Sequence, residues 1–307
     1  MKRLSVCLTT YNRARLLDRT LGSLAAQTRL PDELIVSDDC STDDTAAVAE
    51  RWRSAFPTYI YRRNPRNLYM PGNLNACLAE ATGDYIANLH DADEFDAALL
   101  QKWEAALDAY PSAGFVFCGV SAGDPHGVSG TPDVVRLNRS TLTYRYPRTT
   151  VYLHDVEPLT PGREFFERHM LHATYSIVWA TVMARRDAYE RLLPYDPQCG
   201  WVSDVDMWMR MCLHFDVAYV REPLLHLDAS PTAERRFDWN REEALRRIQR
   251  VNIERSYGYT QDRLAHELTR YRRLYRGRYA RKITALAARG ELAKAATGIG
   301  LLLRGFR

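Results

Sequence analysis

The chain has 307 residues, of which 46% are hydrophobic and 26% charged, with a formal net charge of +4. These values are ordinary for a globular protein of one large domain or two smaller ones, and so mild a charge does not by itself indicate nucleic-acid binding. The six cysteines form no C-x-x-C pair, which argues against a disulfide framework and favours a reducing compartment.

The first residues, from Met1 to Leu4, lead directly into a strand pattern without a long apolar segment. We therefore expect no signal peptide. The sequence also shows no stretch that is long and apolar enough to cross a bilayer as a helix. These features predict a cytoplasmic protein.

Strand and helix patterns alternate through the first third of the chain. Apolar, β-rich runs predict strands, and leucines at helical spacing, as at Leu17, Leu21 and Leu24, predict helices between them. The predicted strands cover residues 4–9, 33–37, 59–61, 85–89 and 115–119, and the predicted helices cover residues 14–27, 45–52, 73–81 and 99–110. This alternation implies βαβ units and a largely parallel sheet, and hence an α/β fold.

Polar residues follow the predicted strands at their carboxyl ends, where open sheets of this kind bind ligands. The first strand ends in the run Thr-Thr-Tyr-Asn-Arg, and the second in an acidic and hydroxylic run from Asp38 to Thr45. The fourth ends at Asp91 and Asp93. The three ends would share one crevice, and their joint placement carries more weight than any one of them.

Asp91 and Asp93 form the most informative pair in the sequence. In extended chain, residues i and i+2 point to the same side, so the two carboxylates can converge at the end of a strand. Two hard oxygen donors suit Mg²⁺ or Mn²⁺, which typically also hold substrate phosphates. For an isolated Asp-x-Asp, a solvated strand-to-loop turn is the simpler interpretation.

The rest of the chain is less regular. Residues 120–161 are rich in Gly, Pro, Ser, Thr and Arg and predict long loops, which often serve as lids or binding loops. A helix is predicted over residues 208–215 and a last strand over residues 216–220. Beyond residue 235 the sequence changes to long arginine-rich helices, so we divide the chain into residues 1–235 and a basic helical region, residues 236–307.

Four motifs follow one another along the chain: SVCLTTYNR at residues 5–13, IVSDDCSTD at 35–43, GDYIA with DAD at 83–87 and 91–93, and SDVDMWMR at 203–210. In order and spacing they resemble the motifs of the family 2 glycosyltransferases of GT-A fold, over roughly residues 4–226. That family transfers a sugar from a nucleotide diphosphate donor to an acceptor hydroxyl and inverts the anomeric carbon. The resemblance implies a GT-A domain with a Rossmann-like, mostly parallel sheet flanked by helices.

By position, the resemblance implies that Thr9, Tyr11 and Asp39 hold the nucleotide base and ribose of the donor. Tyr11 offers a ring face to a base, and Asp39 offers a carboxylate to a base N–H. Asp91 is expected to bind the ribose or to assist a metal ion. A UDP-sugar is the default donor, only because many relatives use uracil nucleotides.

The resemblance also implies a metal ion and a general base. Asp93 is expected to ligate Mg²⁺ or Mn²⁺ at the diphosphate, where a divalent cation stabilises the leaving group. Asp204 is expected to remove the proton of the acceptor hydroxyl. One carboxylate opposite the leaving group suffices for an inverting displacement, in contrast to retaining sugar hydrolysis. His226 is a further candidate metal ligand, although a lone histidine is more often a polar loop residue.

The sequence departs from the commonest family pattern in two places. A serine precedes Asp204 where many members carry glutamate, and the usual Ala-Arg-Asn is Asn-Leu-Asn at residues 73–75, which removes an expected phosphate contact. Among the other acids, Asp43 is predicted to lie in the first turn of a helix. Asp38 is predicted to serve its loop, and Asp206 either to contact the acceptor or to cap the following helix.

Two interpretations of the C-terminal region stay open. Leu264, Leu268, Tyr271 and Tyr275 lie at helical spacing with arginines between them, which fits either a helical appendage packed on the catalytic domain or a basic amphipathic surface for anionic lipids. Expected partners are a nucleotide-sugar donor and a saccharide or lipid-linked acceptor, with peripheral association at the inner face of the membrane under the second interpretation. Nucleic acid is not expected, because no nucleic-acid motif accompanies the Arg-Tyr pattern.

We therefore expect a metal-dependent inverting glycosyltransferase that acts in surface polysaccharide or glycolipid synthesis. The alternative is a catalytically inactive nucleotide-sugar-binding or scaffolding protein, against which Asp91, Asp93 and Asp204 argue. A dinucleotide-dependent oxidoreductase is disfavoured, because the turn after the first strand lacks the G-x-G-x-x-G that close pyrophosphate approach needs.

Overall fold

A mixed sheet lies at the centre of the structure, a computed structural model that describes residues 2–123, 149–151, 156–170, 181–228, 239–257 and 261–304. The strands in these ranges are β1 (Leu4–Thr10), β2 (Glu33–Asp38), β3 (Tyr59–Arg63), β4 (Tyr85–His90), β5 (Asp93–Phe95), β6 (Ala113–Gly123), β7 (Thr149–Val151), β8 (Leu159–Thr160), β9 (Val182–Arg185) and β10 (Asp216–Asp228). Their order is β3-β2-β1-β4-β9-β6-β10-β5, with β7 paired to β6 and β8 to β10. Strands β3, β2, β1 and β4 are parallel neighbours, and β9 runs antiparallel between β4 and β6.

Helices flank this sheet and continue beyond it. In the described ranges they are α1 (Ala14–Ala25), α2 (Thr45–Arg51), α3 (Tyr69–Leu78), α4 (Leu99–Ala109), α5 (Gly162–Phe165), α6 (Arg186–Leu192), α7 (Ser203–Cys212), α8 (Trp239–Tyr257), α9 (Gln261–Ala288) and α10 (Leu292–Leu303). Helix α1 buries Leu17, Leu21 and Leu24 on the one face that the helical spacing predicts. The predicted α/β fold with helices on the sheet is confirmed. Among the described helices, none combines the length and the apolar character that crossing a bilayer requires.

Strands β1 and β2 lie inside the parallel part of the sheet, and all of their residues are buried. A strand covered on both faces carries an apolar run rather than an alternating pattern, which is why the sequence predicts both strands. The registers pair Thr9 with Ser37 on one side and with His90 on the other. The carboxyl ends of β1, β2 and β4 therefore lie at one edge.

A buried carboxylate braces the opposite edge of these strands. Glu33 accepts hydrogen bonds from Ser5 Oγ at 2.6 Å and from the backbone N–H and hydroxyl of Thr82, both at 2.9 Å. Burial alone raises the carboxyl pKa, but these hydrogen bonds outweigh it and lower the pKa of Glu33. Gly83 donates to the same Ser5 hydroxyl, and a Cβ at Gly83 would lie 2.5 Å from the Ser5 nitrogen, so this close approach requires glycine.

One prediction at the carboxyl edge is wrong. Strand β4 ends at His90, and Asp91 and Ala92 form a turn. Asp93 then begins β5, which runs antiparallel to β10 with Asp93 opposite Leu227. Asp91 and Asp93 are therefore not successive same-side residues of one extended strand, because pairing with the last strand turns the chain between them.

The middle of the chain is only partly described. Residues 124–148 and 152–155, which make up most of the predicted loop region, lie outside the described residues. In the described remainder, β7 extends the sheet beside β6, and β8 pairs with β10. Helix α7 begins earlier than predicted, so Asp204 lies in its first turn.

The C-terminal helices share a hydrophobic core with the sheet. One cluster of buried side chains joins Phe115 and Trp208 to Trp239 and Tyr271 of α8 and α9. The Trp239 indole N–H donates to the Lys294 carbonyl of α10 at 2.7 Å. This packing supports a helical region that is packed on the sheet-containing part of the chain, while a domain boundary at residue 235 stays a prediction.

Candidate active site

A cleft of about 250 Å³ opens at the carboxyl edge of the sheet. It is lined by Thr9, Thr10, Tyr11, Arg13, Asp39, Asn67, Tyr69, Met70, Asn73, His90 and Asp91. The four residues predicted to bind the donor, Thr9, Tyr11, Asp39 and Asp91, thus line one cleft. Their roles toward a ligand stay predictions, whereas their common location is a feature of the fold.

The loop after β1 forms one wall of this cleft. The Tyr11 side chain is 44% exposed, and Asn12 follows it with φ +50°, a conformation that asparagine tolerates better than most residues. The Asn12 N–H donates to Ser41 Oγ at 2.8 Å, and its side-chain oxygen accepts from the Thr42 N–H at 2.7 Å. The loops after β1 and β2 are therefore tied together next to Tyr11 in the chain.

Asp39 organises another part of the cleft lining. One of its oxygens accepts hydrogen bonds from Asn64 Nδ2 and from the Leu68 N–H, both at 2.8 Å. The other accepts from the Tyr69 N–H at 2.9 Å. The side chain is almost fully buried, so Asp39 organises the backbone of the 64–69 loop as well as lining the cleft.

Asp38 and Asp43 both have structural roles, but the prediction that Asp43 lies in the first turn of a helix is wrong, because α2 begins at Thr45. Asp38 is fully buried and accepts from the Ser41 N–H and the Tyr61 hydroxyl, and burial together with this hydrogen bond raises the pKa of Tyr61. Asp43 accepts from the N–H groups of Ala14 and Thr45, both at 3.1 Å, at the starts of α1 and α2. Burial would raise the pKa of Asp43, but its hydrogen bonds lower it.

The two acids of the Asp-x-Asp pair have different surroundings. Asp91 is buried, and one of its oxygens accepts from Arg13 Nη1 at 2.9 Å, while half of the Arg13 side chain is exposed. Asp93 is also buried, and its backbone carbonyl accepts from Thr20 Oγ1 at 2.7 Å. Arg13 thus brings a cation to Asp91 at the edge of the cleft, and α1 holds the start of β5 through Thr20.

His226 lies on β10 beside β5. The register pairs His226 with Glu94 and Leu227 with Asp93. Because neighbouring strand residues alternate in direction, His226 and Asp93 project from opposite faces of this strand pair. The His226 side chain is exposed, and its predicted role as a metal ligand stays untested.

Asp204 lies in the first turn of α7 and is partly exposed. Its Oδ1 accepts from the Val205 N–H at 2.8 Å. Tyr195 is close by: burial foremost, and the Asp204 charge to a smaller extent, raise the pKa of Tyr195. Asn75 of α3 holds the Tyr195 backbone through two hydrogen bonds of 2.9 Å, one to its carbonyl and one from its N–H. Helix α3 therefore borders the cleft at Met70 and Asn73 and holds Tyr195, whose pKa the Asp204 charge affects.

Asp206 has a structural role. It is buried and accepts from Arg210 Nε at 2.8 Å, Asn252 Nδ2 at 3.1 Å and Arg255 Nη1 at 3.4 Å. These bonds join α7 to α8. Of the two roles considered for Asp206, neither acceptor contact nor helix capping describes this arrangement, which is a link between helices.

A larger cavity of about 530 Å³ runs along α8. Among the charged groups that line it, Arg246 bonds to Glu243 and Arg250 to Glu254. None of the residues predicted to bind donor, metal or acceptor proton is among its described lining. The smaller cleft at the strand ends is therefore the candidate active site.

The sequence model of the family described as Glycosyl transferase family 2 matches residues 5–192, more than half of the chain. The chain belongs to glycosyltransferase family 2. Among curated members, EpsE of Bacillus subtilis (strain 168), named as a glycosyltransferase, is 27% identical over 211 residues, which cover 68% of this chain and 66% of EpsE. The GalNAc(5)-diNAcBac-PP-undecaprenol beta-1,3-glucosyltransferase of Campylobacter jejuni is 35% identical over 112 residues, 36% of each protein. This chain thus spans just under two thirds of EpsE and about a third of the Campylobacter enzyme.

Two solved structures share the fold of this family 2 chain. The S. aureus TarS 1-349 complex with UDP superposes with a TM-score of 0.59 at 18% identity, over 88% of this chain and 71% of TarS 1-349. The mannosyltransferase PcManGT from Pyrobaculum calidifontis, in complex with GDP-Man and Mn²⁺, gives 0.56 at 18% identity, over 98% and 81%. The GT-A fold predicted from the motifs is confirmed.

Several residues that line the cleft of this family 2 chain are not identified as site residues from the sequence. Arg13 belongs to the first motif, and its position directly before α1 could have suggested a partner for Asp91. Asn67 and Tyr69 carry no such signal, because a tyrosine with φ +57° is not a pattern that a single sequence predicts. The loop that holds them is organised by Asp39 from β2, and that contact is visible only in three dimensions.

The carboxylates near this cleft fit a divalent cation, such as Mg²⁺, that binds only one or two protein carboxylates. Among the described residues, no group of three or more His, Cys, Asp or Glu side chains is arranged to hold a metal. Mg²⁺ commonly takes only one or two protein carboxylates and completes its shell with water and substrate phosphates. Asp91, which lines the cleft, is a hard oxygen donor that suits that mode, and Asp93 follows two residues later at the start of β5; a bound diphosphate would supply the remaining ligands.

Proposed function

We propose that this chain transfers a sugar from a nucleotide diphosphate sugar to an acceptor hydroxyl, with inversion and with the help of Mg²⁺ or Mn²⁺. The proposal rests on the cleft where Thr9, Tyr11, Asp39 and Asp91 come together at the carboxyl ends of parallel strands. An exposed aromatic ring, buried carboxylates and an arginine are groups that can hold a base, a ribose and a diphosphate. A UDP-sugar is the first donor to test.

The side chains divide the reaction between them. Tyr11 offers its ring to the base, and Asp39 faces the cleft while it anchors the 64–69 loop. Arg13 and Asp91, which line the same cleft, would contact the ribose and the diphosphate. Asp204 accepts the proton of the acceptor hydroxyl, and its partial exposure leaves the carboxylate accessible from solvent. A bound divalent cation would stabilise the charge that develops on the leaving diphosphate.

The acceptor belongs to the same proposal. The Campylobacter relative is named for an undecaprenol-linked substrate. We therefore propose a saccharide or lipid-linked acceptor, in the synthesis of a surface polysaccharide or glycolipid.

Replacing Asp204 tests the base. Asp204→Asn should reduce transfer from a labelled nucleotide sugar by at least about 100-fold, the lower range for a positioned general base, while donor affinity changes little. Asp187→Asn is the matched control, because Asp187 is an exposed acid in the first turn of α6. Wild-type turnover in Asp204→Asn would refute the base assignment. Donor binding without transfer or hydrolysis in the wild type would instead indicate an inactive nucleotide-sugar-binding protein.

Replacing Asp93 tests the metal. Mn²⁺ should tighten the binding of UDP to the wild type, as measured by titration calorimetry, and Asp93→Asn should remove most of that increase. Asp96→Asn, an exposed acid just after β5, should keep it. Full transfer activity after treatment with EDTA would contradict the metal role.

The C-terminal helices offer a surface for peripheral membrane association. Leu292, Ile299 and Leu303 of α10 are exposed and recur at a spacing that places them on one face. Helix α9, which packs against α10, exposes Arg273 and Arg276 among other arginines. Exposed apolar side chains on one helix and exposed arginines on the helix packed against it are groups that an anionic bilayer can bind. Ile299→Asp should lower sedimentation with phosphatidylglycerol vesicles and leave nucleotide binding unchanged; equal sedimentation would refute this surface.

A further inference from the structure

Tyr69 combines an exposed side chain with an unfavourable backbone conformation. Of the described Phe, Tyr and Trp side chains, Tyr11 and Tyr69 are the two exposed ones, at 44% and 69%, and both line the same cleft. The φ of Tyr69 is +57°, in the left-handed region that bulky residues rarely occupy. A large apolar ring is thus displayed to solvent at the cleft by a conformation that costs free energy.

Surrounding groups hold this conformation in place. The Tyr69 N–H donates to Asp39 Oδ2 at 2.9 Å and to Asn67 Oδ1 at 2.8 Å. The other Asp39 oxygen accepts from Leu68 and Asn64. Asp39 directly follows β2, so the position of the Tyr69 backbone is tied to the sheet. Unfavourable backbone conformations that are held in this way concentrate at ligand sites.

We propose that Tyr69 is a second aromatic wall of the donor site, which stacks on the nucleobase from the side opposite to Tyr11. Tyr11 comes from the loop after β1, whereas Tyr69 starts α3, so two separate elements bring a ring to one cleft. This inference rests on the proposed function, since it names a contact to the same donor. The ligand that it recognises is the base of a nucleoside diphosphate.

An aromatic side chain that stacks on the base strengthens nucleotide binding without discriminating between bases. Every base presents a π-face, and stacking on an aromatic side chain tolerates different bases. Tyr69 is therefore expected to raise the affinity for uridine and guanosine diphosphates by similar factors. The selection of the base would be left to hydrogen-bonding groups such as Asp39.

Calorimetric titration of variants with UDP, GDP and inorganic pyrophosphate, each with Mn²⁺, tests the proposal. Tyr69→Gly removes the ring and still permits the backbone conformation. It should weaken UDP and GDP by similar factors of about 5- to 100-fold and leave pyrophosphate, which has no base, unchanged. Tyr69→Phe should bind both nucleotides nearly as the wild type does, and Leu274→Ala is a control for removal of an exposed apolar side chain elsewhere.

Each remaining outcome contradicts part of the proposal. Unchanged UDP and GDP affinities in Tyr69→Gly, with a wild type that binds them, would overturn the Tyr69 contact and leave the proposed function intact. An equal loss of pyrophosphate affinity would show that the effect does not pass through the base and would also overturn the contact. A wild type that binds no nucleoside diphosphate would overturn the proposed function, and this inference with it.

Discussion

Replacing Asp206 with alanine is expected to lower the free energy of unfolding by about 2–3 kcal/mol. The carboxylate is 3% exposed and bonds to Arg210, to the fully buried Asn252 and, at 3.4 Å, to Arg255. Without it, Asn252 Nδ2 keeps only the Ile248 carbonyl, and Arg210 keeps the carbonyls of Leu192 and Pro194.

The magnitude follows from the exposure of the partners. Breaking a fully buried ion pair costs about 3–5 kcal/mol. The Arg210 side chain is 16% exposed and that of Arg255 is 46% exposed, so water replaces part of the lost interaction. The expected cost therefore falls to about 2–3 kcal/mol. For 307 residues, an unfolding entropy of about 2.1 cal/mol/K per residue makes 3 kcal/mol equivalent to about 5 °C in Tm.

Thermal and urea unfolding of purified variants measure this effect. Glu254→Ala is the control, because it breaks the solvated Arg250–Glu254 pair on α8 and should cost below about 0.5 kcal/mol. A double-mutant cycle between Asp206 and Asn252 should give a coupling of about 0.5–3 kcal/mol. If Asp206→Ala shifts Tm no more than Glu254→Ala does, the inferred link between α7 and α8 is wrong.

Two further predictions concern stability. Glu33→Gln should cost about 1–3 kcal/mol at pH 7 in urea unfolding. Because the folded pKa of Glu33 lies below its ordinary value of 4.5, the stabilisation is present above pH 4.5 and is lost as the pH falls through the folded pKa. The difference between variant and wild type should therefore shrink in acid, and a constant difference would contradict the charged state. Gly298→Ala should destabilise α10 by about 1–3 kcal/mol, because the new Cβ would lie 2.1 Å from the Trp239 ring. Gly300→Ala, whose Cβ meets only the end of Arg304 at 3.9 Å, should be neutral or stabilising, and equal effects of the two would refute this packing.

The strands in the parallel part of the sheet could be predicted because buried strands have an apolar composition. All residues of β1 and β2 are buried, so both appear in the sequence as apolar runs. Strand β5 could not be predicted in the same way, since Asp93–Phe95 has little strand character of its own and forms by pairing with β10. Tertiary contact, rather than local propensity, decides such a segment.

The candidate site also contains some features that the sequence predicts and others that it does not. Tyr11, Asp39 and Asp91 could be located from the rule that ligands bind at the carboxyl ends of parallel strands. The hold of Asp39 on the 64–69 loop could not, because it joins residues that are distant in sequence through backbone N–H groups, which every residue carries. Asp206 was ambiguous for a similar reason, as its partners Asn252 and Arg255 belong to a region with no motif.

Because β5 pairs with β10, the sheet edge that carries Asp93 can form only after β10 has been synthesised. Leu227 follows Asp93 by 134 positions, and contacts of such long range form only after a large loss of chain freedom. During synthesis, the ribosome releases the loops after β1 and β2, which line the cleft, well before the strand that pairs with β5. A nascent chain that stops short of residue 225 would have Tyr11, Asp39 and Asp91 but no partner strand for the second acid. The edge that carries Asp93 thus cannot be completed until residues 225–227 of β10 have emerged.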